Sequence, residues 1–195
     1  MNFRNAIQSL FWGIITAGMS LVLQLIILSL LLSQNSSDKI TSVLMSSLTF
    51  LIIYALTEES FKYFIVSKKI LSLSYGKGFM INTWIAGIGF ALVEIFIIYQ
   101  KYTYNKIDFN LSDLLATAPL HILTFGILGY FLSTTHKKGP NVSVLFFNFI
   151  IHLSYNYFRI YLENYSQYTS AGIIFLLFIV NIYGLLAVNK KLASD

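Results

Sequence analysis

Six apolar runs, roughly 10–32, 42–66, 78–99, 113–133, 141–161 and 169–189, take up most of the 195-residue chain. Each is close to the ~20 residues an α-helix needs to cross a ~30 Å hydrocarbon layer. Charged residues make up only 11% of the chain and hydrophobic ones 56%, where a soluble domain carries about 25% charged. The apolar excess must therefore face lipid. The expected fold is an all-α polytopic membrane bundle of about six transmembrane helices, forming one domain over 1–195 with its motif-bearing core at 42–161. The first run follows a short basic N-terminus, as a signal peptide does. It is too long for an h-region, and no small-residue cleavage site follows, so it reads as a span.

The connectors are short and carry the lysines, which orients the bundle. With the N-terminus inside, Arg4, Lys68, Lys69, Lys77, Lys137, Lys138, Lys190 and Lys191 lie on the cytoplasmic side. Lys39, Lys101, Lys106 and Arg159 lie outside, and Lys62 falls within a span. Eight against four favours both termini in the cytoplasm of a multi-pass cell-membrane protein. Tyr99, Tyr102, Tyr104, Tyr161, Tyr165 and Tyr168 gather on the outer side, as an interfacial belt does. The net charge of +5 does not point to nucleic acid, because no basic patch has stacking aromatics beside it. The absence of cysteine removes disulfides and thiolate chemistry.

Four of the runs contain groups a bilayer penalises. Run 2 has Glu58, Glu59 and Lys62, and run 3 has Glu94. Run 4 has His121, and run 5 has His152 and Asn156. A charged side chain at a helix centre costs about 2.5–3.5 kcal/mol on insertion scales. Runs 1 and 6 carry no such group and read as packing. The expectation is that runs 2 to 5 converge on one polar, partly hydrated site. Within runs, helical spacing supports this. Lys62 is one turn from both glutamates, Phe90 shares a face with Glu94, and Asn148, His152 and Asn156 form a stripe at four-residue steps. Gly87 with Ala91, and Gly126 with Gly129 and Tyr130, offer small surfaces for close helix contact. His136 sits beside Lys137 and Lys138 and reads as a solvated loop residue.

Three ionised glutamates, one charged lysine and two neutral histidines leave the site with a net charge of two negatives. Either a carboxyl keeps its proton, with the groups titrating as a coupled unit, or a divalent cation balances them. Both serve hydrolysis, since a carboxylate beside a histidine activates water and Glu/His ligands hold Zn²⁺ with an open position. The familiar intramembrane signatures are missing. There is no H-E-x-x-H and no G-x-S-G, and Asp38, Asp108, Asp113 and Asp195 fall in loops or at the chain end. A glutamate/histidine system remains.

The residues at this point resemble a known family. "EESFK" at 58–62 resembles the E-E-x-x-K motif of the PrsW membrane proteases, and "GIGFALVE" at 87–94 resembles their F-x-x-x-E. "HILTFGILGY" at 121–130 is similar to their third motif, and "HLSYN" at 152–156 to their fourth, H-x-x-x-D/N. The related CAAX-protease and bacteriocin-processing family has E-E-x-x-x-R and F-x-x-x-H instead, so Lys62 and Glu94 favour the PrsW side. The resemblance implies a membrane-embedded peptidase acting on a membrane-anchored protein or peptide. Glu58 or Glu59 would activate water, and His121 and His152 would orient it, stabilise the oxyanion or bind metal. Glu94 would be a second carboxylate or ligand, Asn156 an oxyanion donor, and Lys62 and Phe90 supports. A divalent metal such as Zn²⁺ would draw on Glu59, Glu94, His121 and His152; a metal-free mechanism is equally open. The rivals are a non-enzymatic relative such as a bacteriocin-immunity factor, and a proton- or cation-coupled transporter.

Two geometric expectations follow. Glu58 points about 40° from Lys62 and Glu59 about 60°, which favours Glu58 for the lysine and Glu59 for the cavity. Glu58 also lies nearer the inner end of run 2 and Glu94 nearer the outer end of run 3, an offset on the order of 10 Å that a single site must close.

Overall fold

The computed structural model describes residues 2–33, 47–105, 111–135, 142–161 and 166–192. Among them the regular structure is entirely helical: α1 Phe3–Ser33, α2 Leu48–Ile65, α3 Gly76–Asn105, α4 Leu111–Thr135, α5 Val142–Tyr161 and α6 Ser166–Leu192, with a π-helical turn at Val66–Ile70. The helices match the six apolar runs one for one. The first and third extend furthest beyond their runs, because the flanking residues are polar or aromatic yet still favour a helix. Asp113, expected in a loop, falls in the first turn of α4. Lys39, Lys106, His136, Lys137, Lys138 and Tyr165 lie outside the described residues.

Four helices are long and apolar enough to cross a membrane, over Phe3–Leu31, Gly76–Tyr104, Thr117–Thr134 and Tyr168–Val188, and they mark the chain as a membrane protein. The remaining two, α2 and α5, are the most polar, because they carry the charged and histidine residues singled out above. Their outer faces are apolar all the same. Ile52, Leu56 and Phe64 on α2, and Phe146, Ile150 and Ile160 on α5, are exposed.

Local chemistry sets the boundaries of α2. Ser47 caps its N-terminus, its side chain accepting from the Phe50 N–H at 3.3 Å. At the other end the π-helical turn closes through the Leu71 N–H to the Val66 carbonyl at 3.0 Å. Gly76 then enters α3 with φ of 57°, a backbone conformation that other residues adopt with difficulty.

Helix α1 packs on α2 and α3, α3 on α4, α4 on α5, and α5 back on α2, so these five close a ring. Helix α6 lies against α4 and α5. Close approach around the ring depends on absent side chains. A Cβ on Gly87 would lie 2.6 Å from the Ile122 Cα, so only glycine lets α3 sit this near α4. Phe79, Phe90, Phe125 and Leu128 fill the seam with Ile65, Val66 and Ile70. Asn181 fastens α6 in place. Its amide donates to the Leu177 carbonyl at 2.8 Å and the Leu123 carbonyl at 3.1 Å, and its oxygen accepts from Trp84 Nε1 at 2.8 Å.

Candidate functional site

The interior of the ring is polar, and α2 supplies its centre. Glu59 and Lys62 are fully buried and one turn apart. The Lys62 ammonium meets Glu59 Oε1 at 2.6 Å, His121 Nδ1 at 2.8 Å and Thr124 Oγ1 at 3.2 Å. An ammonium has three N–H bonds and no lone pair, so these acceptors use all of its donors. Phe90 turns its face to the same charge, with Nζ 4.8 Å from the ring centroid, and Phe125 does so at 5.8 Å. Thr124 in turn donates to the His121 carbonyl at 3.1 Å.

Glu59 Oε1 also meets His152 Nδ1 at 2.8 Å. A carboxylate paired with an ammonium is an acceptor, so His152 presents Nδ1–H to Glu59, and its Nε2 lone pair is free in the neutral ring. That nitrogen faces Glu58 Oε2 at 3.7 Å. Glu58 Oε1 accepts from Gln24 Nε2 of α1 at 3.0 Å. Glu58 Oε2 and Glu59 Oε2 are buried without a hydrogen-bond partner among the described residues.

His121 is held in the opposite sense. Its Nδ1 accepts from Lys62, so the hydrogen of the neutral ring is on Nε2, and Nε2 contacts Glu94 Oε2. The two imidazoles stand 5.2 Å apart, edge to face at 77°. One therefore offers a base and the other a donor, with the Glu59–Lys62 pair fixing both. Glu94 is the most accessible member at 25% exposure, although its Oε2 against His121 is buried.

The offset between Glu58 and Glu94 closes for a stereochemical reason. Helical side chains lean toward the N-terminus of their own helix. A lean of this kind brings Lys62 of α2 and Glu94 of α3 toward each other, and His121 touches both.

The structure brings together Glu58, Glu59, Lys62, Glu94, His121 and His152, with Phe90 stacked on His121 at 4.7 Å between centroids. It corrects three expectations. Lys62 pairs with Glu59, not Glu58, and it is Glu58 that faces His152 Nε2. Asn156 is only half-buried and enters none of these contacts, one turn beyond His152 and beside the exposed Tyr157. The buried asparagine of that stripe is Asn148, which donates to the Thr124 carbonyl at 2.9 Å. Run 1 is not merely packing, since it contributes Gln24. That glutamine is the lone amide in "LVLQLIIL", and the rule used for the other runs would have flagged it. Thr124 gave no comparable signal.

Glu58, His121 and His152 form a group whose ligand atoms lie within 4.8 Å of one another and could hold a metal ion. Two nitrogens and a carboxylate oxygen suit Zn²⁺ with a fourth position open. The carboxylate is Glu58; Glu59 Oε1 is committed to Lys62 and His152, and Glu94 lies outside the trio. The fit is incomplete at His121, whose two nitrogens are engaged by Lys62 and Glu94.

No family model, curated protein or solved structure matches the chain.

Proposed function

We propose that the chain is an intramembrane peptidase of the PrsW kind, which hydrolyses a membrane-anchored protein or peptide. The observation that carries this reading is the pair Glu58 Oε2 and His152 Nε2, two acceptors facing each other across 3.7 Å. Two facing lone pairs repel unless a donor bridges them, and water has one O–H for each. Such a water is oriented and activated together, with Glu58 as general base. As its oxygen attacks a peptide carbonyl, Glu58 takes the proton. The carbonyl oxygen turns negative and accepts from His121 Nε2–H, taking the place of Glu94 beside that nitrogen. The Lys62 charge next to His121 favours the oxyanion. Collapse of the tetrahedral species passes the Glu58 proton to the leaving amine, so hydrogens balance over the cycle.

In the membrane this reading takes all six helices as spans with both termini cytoplasmic. Helices α2 and α5, at 18 and 20 residues, are long enough once their polar groups face the ring interior. Exposed Tyr99, Tyr104, Tyr161 and Tyr168 support an aromatic belt at the outer boundary.

One observation favours a second reading. Glu94, His121, Lys62, Glu59, His152 and Glu58 form a continuous chain of ionisable contacts, as a proton relay does. Reconstituted vesicles separate the two. The peptidase reading expects cleavage of a membrane-anchored substrate that Glu58→Gln abolishes and no proton flux. Proton flux without cleavage would replace it with a transporter.

A further inference from the structure

We infer that Lys62 is a built-in cation that closes the Glu58–His121–His152 group to divalent metals, and that removing it turns the group into a metal site. The contacts alone lead to this, whatever chemistry the ring performs. A metal needs a lone pair from each ligand. Glu58 Oε2 and His152 Nε2 have one available. His121 does not, because Lys62 donates to Nδ1 at 2.8 Å and so leaves the hydrogen on Nε2, against Glu94. The lysine also places a positive charge within hydrogen-bond reach of one would-be ligand, where it repels a second cation. It is fully buried, with three acceptors and two aromatic faces around it. Without the ammonium, Nδ1 loses its donor and the hydrogen of His121 can sit on either nitrogen. His121 then has a lone pair with which to join Glu58 and His152, and one ligand atom from each of the three already lies within 4.8 Å of the others.

The test is Co²⁺ titration of the full chain in detergent, read by visible d–d absorption. Lys62→Met is expected to bind one equivalent, roughly 10–100-fold more tightly than wild type, the range that ligand-orienting partners command. Adding His121→Ala to Lys62→Met should remove that equivalent. Because Lys62→Met takes a partner from Glu59, Lys62→Met/Glu59→Gln provides a charge-balanced version expected to behave in the same way. The inference is overturned if wild type binds one His121-dependent equivalent as tightly as Lys62→Met, or if both folded variants bind none. Nitrogen NMR of wild type gives an independent readout: His121 should carry its hydrogen on Nε2 and stay unchanged on addition of Zn²⁺. A hydrogen on Nδ1 would overturn the inference as well.

Discussion

Exchanging each of the paired glutamates for glutamine should separate stability from chemistry. Glu59 Oε1 serves Lys62 at 2.6 Å and His152 at 2.8 Å, and both Glu59 and Lys62 are fully buried. Glu59→Gln leaves the Lys62 ammonium in the ring without its counter-charge. Breaking a buried pair from one side costs about 3–5 kcal/mol. For a chain of this length 1 kcal/mol corresponds to about 2–4 °C, so the apparent unfolding midpoint should fall by at least about 6 °C. Glu58→Gln removes far less. Its amide oxygen can still accept from Gln24, and the lost interaction with His152 is a 3.7 Å approach, not a direct hydrogen bond. The cost should stay within about 1 kcal/mol. Turnover should reverse the ranking, because Glu58→Gln removes the general base and about 10²–10⁴-fold in rate. The assay is thermal unfolding in detergent beside cleavage of a membrane-anchored reporter. If Glu58→Gln is the unstable variant and Glu59→Gln unfolds like wild type, the pairing deduced for Lys62 is wrong.

Three further outcomes are expected. Gln24→Leu strips Glu58 Oε1 of its donor and should cost about 1–3 kcal/mol by thermal unfolding; an unchanged midpoint would remove α1 from the site. Gly87→Val drives a side chain into the α4 backbone beside His121. It should cost about 1–3 kcal/mol in packing but about 10²-fold in turnover, since a displacement near 1 Å is enough to misalign the reacting groups; equal losses in Gly18→Val, which has open space around it, would show the effect to be nonspecific. Reporter fusions at the N-terminus, in the connection between α2 and α3 at 71–75 and at the C-terminus should all report cytoplasm, and an external α2–α3 connection would invert the bundle.

The fold was legible because the bilayer allows few solutions and apolar length is the signal it leaves. Hydropathy could not reveal how far α3 runs past "FIIYQ", because "KYTYN" is helical but not apolar. Convergence of runs 2 to 5 was legible from the cost of their polar groups. The roles of Glu58 and Glu59 were not. The angles that separate them from Lys62 differ by only about 20°, and a four-carbon lysine stem spans either. The outcome depends on His152 and Gln24, which reach α2 from helices distant in sequence. The prominence of Asn156 came from the H-x-x-x-N spacing alone. Spacing places it on the face of His152 but cannot say which members of that face meet the partners on α2 and α4.

The most direct test of the central claim is cleavage in H₂¹⁸O. Wild type and Glu58→Gln would be reconstituted in vesicles with a transmembrane reporter whose juxtamembrane segments are randomised, and the products read by mass spectrometry. Folded wild type should release fragments carrying one ¹⁸O in each new carboxylate, and Glu58→Gln should release none above background. An intact reporter beside folded wild type, or equal ¹⁸O-labelled cleavage by Glu58→Gln, would contradict the assignment of a water-activating glutamate in this ring.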